Sequence, residues 1–235
     1  MNVKTLDRNK SLFLLGDIHG DWNELFFQIQ EHDIKNSYIV SVGDLGIGFK
    51  YKKEHEYKQS ENLNNQFKQR DNIFYGIRGN HDDPSFFKGN NRLVFSNFEL
   101  LEDYTTAKYG DSTIQLIGGA ISIDRTGRKE GVSYWEDEGV VFERESCKKV
   151  DVLITHTAPS FCYPQTFNEM VYSWAREDAY LLEELTDERA VMDEIFKICQ
   201  PSKHFYGHFH HNYVENIQGC THRLLNIDEL FLLTL

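Results

Sequence analysis

Five short apolar runs in this chain each end in a tight step that carries acids, amides or histidines. The steps are G-D-I-H-G at 16–20, G-D at 43–44, R-G-N-H-D at 78–82, T-H-T at 155–157 and G-H-F-H at 207–210. The runs before them, 11–16, 37–42, 72–77, 150–155 and 204–206, read as buried strands. A parallel sheet gathers the C-terminal ends of separate strands at one edge, where ligands collect. Side chains far apart in sequence then meet without any local motif. Here the set would be Asp17, His19, Asp44, Asn80, His156, His208 and His210. These are N and O donors with no Cys among them, enough for two borderline divalent ions if one carboxylate bridges. No single step is specific. Their conjunction points to a hydrolytic two-metal site.

The remaining segments read around that frame. Asp21 is placed to cap a helix whose apolar positions Trp22, Leu25, Phe26 and Ile29 recur at helical spacing. Residues 50–70 are strongly polar and read as a solvated helix with a flexible lead-in, with no chemistry assigned. Strands are expected at 93–95, 98–101, 105–109 and 112–117, and a mostly helical stretch over 171–199. The tail, through 213–216, 224–227 and 231–233, reads as a closing antiparallel run. There is no repeat, low-complexity segment or linker. Both halves supply candidate ligands, so residues 1–235 are expected to form a single domain.

Composition narrows the partners. A formal net charge of -12 argues against extended binding along nucleic acid. It is compatible with an anionic substrate, because two divalent ions would place positive charge where that substrate must go. Cys147, Cys162, Cys199 and Cys220 show no C-x-x-C spacing and are read as free thiols of a reducing compartment. No apolar stretch is long enough for a membrane span, and no signal-peptide pattern is present. The expected location is therefore cytoplasmic. Nothing in the sequence indicates an oligomeric state.

The pattern D-x-H, G-D, G-N-H-[DE], a lone H and G-H-x-H, in this order from Asp17 to His210, resembles the calcineurin-like metallophosphoesterase superfamily. The resemblance implies an α/β (α+β) fold, a four-layer α-β-β-α sandwich of two mixed β-sheets with metals above the strand ends. It implies that Asp17, His19 and His210 hold one divalent ion, that Asn80, His156 and His208 hold the other, and that Asp44 bridges them. Such mixed donors suit manganese, iron or zinc more than calcium, with manganese expected first. The implied reaction is hydrolysis of a phosphate mono- or diester by a metal-bridging hydroxide, on a phosphorylated small molecule or nucleotide. His81 would stand beside the leaving group as an acid. Asp82 would either orient His81 or cap the following turn.

The opening motif is similar to the protein-phosphatase and dinucleoside-tetraphosphatase branch, which continues G-D-x-x-D-R-G. Here that stretch is G-D-L-G-I-G-F, so the Asp that would partner His81 and the Arg that would fork onto phosphate are missing. Arg78, Arg125 and Arg128 are the replacement candidates for substrate binding. Other readings are a dinucleoside polyphosphate or pyrophosphate hydrolase, a protein serine/threonine phosphatase, and a metal-binding scaffold without activity.

Overall fold

Period-two alternation along the central strands decides the architecture. The computed structural model describes residues 3–50 and 53–235. Among these, β1 (Val3–Leu6), β2 (Ser11–Leu15), β3 (Ser37–Ser41), β4 (Ile73–Gly76), β5 (Phe98–Leu100) and β6 (Thr105–Tyr109) come first. β7 (Ser112–Ile117), β8 (Val152–Thr155), β9 (Lys203–Tyr206), β10 (Tyr213–Ile217), β11 (Cys220–Leu224) and β12 (Leu230–Leu232) complete the strands. The helices are α1 (Trp22–Glu31), α2 (Lys53–Gln69), α3 (Glu169–Trp174) and α4 (Leu181–Cys199). One sheet runs β12-β2-β3-β4-β5 and the other β1-β6-β7-β8-β9-β11-β10. Both are mixed: β12 opposes the parallel β2–β5 set, and the β6/β7 and β10/β11 pairs are antiparallel within the larger sheet.

Successive residues of one strand face different cores. Leu12, Leu14, Tyr38 and Val40 meet Ile114, Leu116, Val152 and Ile154 between the sheets. Their chain neighbours Leu15 and Ile39 point outward, onto Trp22, Leu25 and Ile29 of α1 and Leu63 and Phe67 of α2. On the far side, Ile117 and Leu153 pack against Met192, Ile195, Phe196 and Cys199 of α4. Three apolar interfaces separate four layers in the order α-β-β-α, as the resemblance implied.

α1 starts where expected, with the Asp21 carboxylate accepting from the Glu24 N–H at 3.1 Å. Five readings shift. β1 is an unforeseen strand, parallel to β6. Residues 93–95 form no strand, only a bridge from Val94 to Glu99, because this segment folds back on the start of β5. The strand expected at 224–227 lies earlier, at β11, since the inward alternation is carried by Cys220, His222 and Leu224. The last strand, β12, crosses to the other sheet beside β2 rather than closing on β11. The helical stretch from 171 breaks between α3 and α4, and the lead-in to α2 at 51–52 lies outside the described residues.

Two buried imidazoles brace the larger sheet beneath its ligand-bearing edge. His204 and His222, register partners on β9 and β11, meet at 3.1 Å, and Cys162 Sγ lies 3.1 Å from His222 Nδ1. Burial pushes both imidazoles below their usual pKa.

Candidate metal centre

Asp17 and His19 follow β2, Asp44 follows β3, and Asn80 follows β4. From the other sheet, His156 follows β8, and His208 and His210 follow β9. All seven converge at one edge where both sheets end. His19 Nε2 and His210 Nε2 face each other at 2.9 Å, and His210 Nε2 lies 3.3 Å from Asp17 Oδ2. Asn80 Oδ1 sits 2.8 Å from His208 Nδ1 and 3.2 Å from His156 Nε2. Asp44 stands between the two groups, with Oδ1 3.1 Å from His156 Nε2 and Oδ2 3.8 Å from His19 Nδ1.

These spacings fit divalent ions. Two donors about 2.1 Å from one ion and at right angles to each other are about 3.0 Å apart. The clustered donor atoms form two groups that share Asp44: Asp17, His19, Asp44 and His210, and Asp44, His156 and His208. Asp17 Oδ1 is buried with no hydrogen-bond partner, a costly condition that a cation would relieve. The His156 Nδ1–H donates to the Val42 carbonyl at 2.8 Å, which aims Nε2 at the centre. Asn80 Nδ2 donates to Ser122 Oγ at 3.1 Å, which turns its carbonyl oxygen the same way. Burial disfavours a charged His156, yet Asp44 and Asp17 outweigh it and lift the imidazole to about 9. A proton thus gathers where the carboxylates demand positive charge, and metal binding displaces such protons.

Local backbone is spent on this convergence. His19, Asp44, His208 and His210 all have φ between 45° and 70°, left-handed conformations that are uncommon for residues with side chains. Gly79 is required for another reason. A Cβ there would lie 2.5 Å from Asp44 N and 2.7 Å from His156 Nε2, so only a bare backbone lets the Asn80 turn pass.

The residues around the donors divide. His81 borders the centre, edge-on to His19 with ring centroids 4.6 Å apart and stacked on Phe49 at 4.8 Å. Its Nε2 accepts from the Arg128 guanidinium at 2.8 Å. Burial lowers this imidazole to about 4, with Asp44 opposing and Arg128 reinforcing, so the ring is neutral at pH 7. Asp82 does not orient it. The buried Asp82 carboxylate accepts from the N–H groups of Gly79, Leu45 and Ile47 at 2.8, 3.2 and 2.9 Å, clamping the two ligand loops together.

The three arginines have three different fates. Arg128 reaches the centre, with further contacts to the Asn80 carbonyl, Ser122 Oγ and Asp124. Arg78 does not serve as a ligand clamp. It is buried, donates to Asp103 and to the carbonyls of Asp137, Glu138 and Gly139, and is ion-paired with Asp103. Arg125 turns away, pairing at 2.5 Å with Asp178 in the α3–α4 connection and with Glu184 of α4. Both are corrections to the sequence reading, because adjacency to a motif does not say which way a side chain turns.

What the sequence missed lies on the other side. A cleft of about 770 Å³ opens from His19 and His81 and is walled by Phe49, Lys50 and the α2 residues His55, Lys58, Gln59 and Asn62. The G-I-G-F replacement stretch delivers Phe49 onto His81, with Arg128 Cζ 5.5 Å and Lys50 Nζ 5.1 Å from its ring. The missing Asp and Arg were the available signal, since something had to stand in their place.

Among solved structures, the chain is similar to a Staphylococcus aureus protein designated a 5'-nucleotidase (15% identity, TM-score 0.49). The match covers 93% of this chain and 48% of that one, so the chain spans about half its length. It is also similar to the phosphopantetheinyl hydrolase of Mycobacterium tuberculosis, at 10% identity and TM-score 0.45, covering 97% and 92% of the two chains. GAP50, the anchor in the inner membrane complex of Plasmodium, matches at 13% identity and TM-score 0.44, covering 92% and 71%. The comparison with curated proteins gave no match. No helix among the described residues is long and apolar enough to cross a membrane. The model of the calcineurin-like phosphoesterase family matches residues 11–212, a span that begins with β2 and takes in every donor from Asp17 to His210. The chain therefore belongs to the calcineurin-like phosphoesterase family, whose members are metal-dependent phosphoester hydrolases.

Proposed function

We propose that this protein is a single-domain, dinuclear metal-dependent phosphoesterase acting on a small phosphorylated substrate, with nucleotides as the first class to test. The observation that carries the reading is the place of Asp44, whose two oxygens face histidines of two different donor groups. Asp17, His19 and His210 would hold one ion, and Asn80, His156 and His208 the other, with manganese tried first and iron or zinc next. When bound, two such ions supply Lewis acidity toward phosphate oxygens and a nucleophile at neutral pH.

The chain's own residues position and exclude. Val42 and Ser122 hold the His156 and Asn80 donors in place, and Asp82 locks the two loops that carry Asp44 and Asn80. His81 and Arg128 form the wall beside the donors, where a departing oxygen would sit. In the free site His81 Nε2 accepts from Arg128, so the ring carries its proton on Nδ1. An anionic substrate would compete for Arg128 and raise the His81 pKa, favouring proton donation from the freed Nε2.

The test is manganese-supplemented hydrolysis of p-nitrophenyl phosphate and bis-p-nitrophenyl phosphate, with Asp44→Asn as control. Preference for the monoester directs attention to nucleotidase-type substrates, and preference for the diester to cyclic or linear phosphodiesters. Failure of metal-loaded protein on both, and on pyrophosphate substrates, would leave a non-catalytic metal-binding scaffold and refute the proposal.

A further inference from the structure

The cleft beside the donors has a composition at odds with the chain that forms it. Acidic residues outnumber Lys and Arg by 37 to 25 overall. Yet the cleft lining contains Lys50, Lys58 and three histidines and no Asp or Glu among the described residues. Lys58 is exposed on the second turn of α2, and Lys50 is exposed at the end of the loop that begins at Asp44. Gln59 and Asn62 add neutral donors on the same helix, and Phe49 supplies an aromatic face between Lys50 and His81. A volume of about 770 Å³ falls among small-molecule sites, which span roughly 300–1,000 Å³. It is far larger than one phosphate group needs.

We infer that the substrate is a phosphoester carrying a second, distal anionic group, seated on Lys50 and Lys58 while the reacting phosphate lies at the donor cluster. This rests on the phosphoesterase reading of the same site and adds to it the substrate's second charge. The polarity of the cleft supports the assignment. His19 and His81 join the cleft to the donor groups, Lys50 lies over the Phe49 ring that stacks on His81, and Lys58 of α2 adds a second cation, in a protein whose overall charge would repel an anion. α2 thereby becomes the specificity wall of the site. Its solvated, polar sequence gives no such indication by itself.

Isothermal titration calorimetry on manganese-loaded full-length protein tests this, at fixed free manganese, with adenosine 5'-monophosphate and adenosine 3',5'-bisphosphate. The wild type should bind the bisphosphate at least tenfold more tightly. A K50Q/K58Q double variant should lose that preference about tenfold, and raised salt should erode it too. K68Q, in the last turn of α2 outside the cleft, should keep the full preference. Equal affinity of the wild type for both nucleotides, or a preference that survives in K50Q/K58Q, overturns the inference. Because binding is read directly, absence of turnover would sink the hydrolase reading without deciding this one.

Discussion

Substituting Gly79 by Ala adds one methyl group at the point where the Asn80 turn crosses the Asp44 loop. The new Cβ would lie 2.5 Å from Asp44 N and 2.7 Å from His156 Nε2, and closer still to Asp44 Oδ1. Ordinary contact begins at 3.4 Å, so these neighbours must retreat by about 0.7 to 1.3 Å. Neither can do so freely. The His156 ring is tethered to the Val42 carbonyl, and the Asp44 Oδ1 atom accepts the His81 N–H at 2.8 Å. Overpacking of this kind costs about 1–3 kcal/mol, a melting-temperature loss of roughly 2–12 °C for a domain of this size, so the variant should still fold. A displacement near 1 Å at a reacting centre costs about 100-fold in rate. Gly79→Ala is therefore expected to lose most turnover of p-nitrophenyl phosphate and at least one of two bound metal equivalents, while its circular dichroism spectrum stays native. Gly20→Ala is the control. It also adjoins a donor, His19, but a Cβ there meets nothing within 4 Å, and the variant carries only the cost of φ +88°. A Gly79→Ala protein that holds two ions and turns over within threefold of wild type would refute the packing argument for the centre.

His81→Ala should keep its metal and lose about 100-fold in kcat on an unactivated alkyl phosphate. Full turnover on that substrate would remove His81 from the chemistry. Arg78→Met removes the buried partner of Asp103 and leaves the carbonyls of Asp137, Glu138 and Gly139 without their donor, and should destabilise the fold by about 1–3 kcal/mol. KM of the surviving folded protein should stay unchanged, and a raised KM would return Arg78 to substrate binding. Burial lifts the Glu138 carboxyl from 4.5 to about 7, against the Ser122 hydrogen bonds that favour its ionised form. Folding thus raises this pKa, so its contribution is favourable below about 4.5 and is lost as pH climbs through about 7. Glu138→Gln should then raise the melting temperature relative to wild type at pH 8, by on the order of 3 kcal/mol of stability, and not at pH 4.5. An equal shift at both values contradicts the assignment.

The donors were legible in the sequence because each sits at the end of a buried parallel strand, where apolar run and turn residue are both visible in one dimension. The four layers were implied by the family resemblance alone, because strands such as 11–15 and 37–41, buried on both faces, read as continuous apolar runs that do not say which core each residue faces. Direction was not legible. Arg78 and Arg128 both adjoin the motifs, and only the folded loops show that Arg78 turns to the carbonyls of 137–139 while Arg128 turns to His81. β12 was misplaced because hydrophobic pattern identifies a strand but not its partner sheet. α2 was passed over because a polar helix reads as solvated whether its exposed face meets bulk water or a cleft.

Bound manganese per chain, measured by inductively coupled plasma mass spectrometry after desalting, addresses the claim that two ions share Asp44. Wild type should retain two equivalents, and Asp44→Asn should lose at least one of them together with phosphoesterase turnover. A wild-type protein that hydrolyses phosphoester with no bound metal, or an Asp44→Asn protein that keeps both ions, would contradict the account.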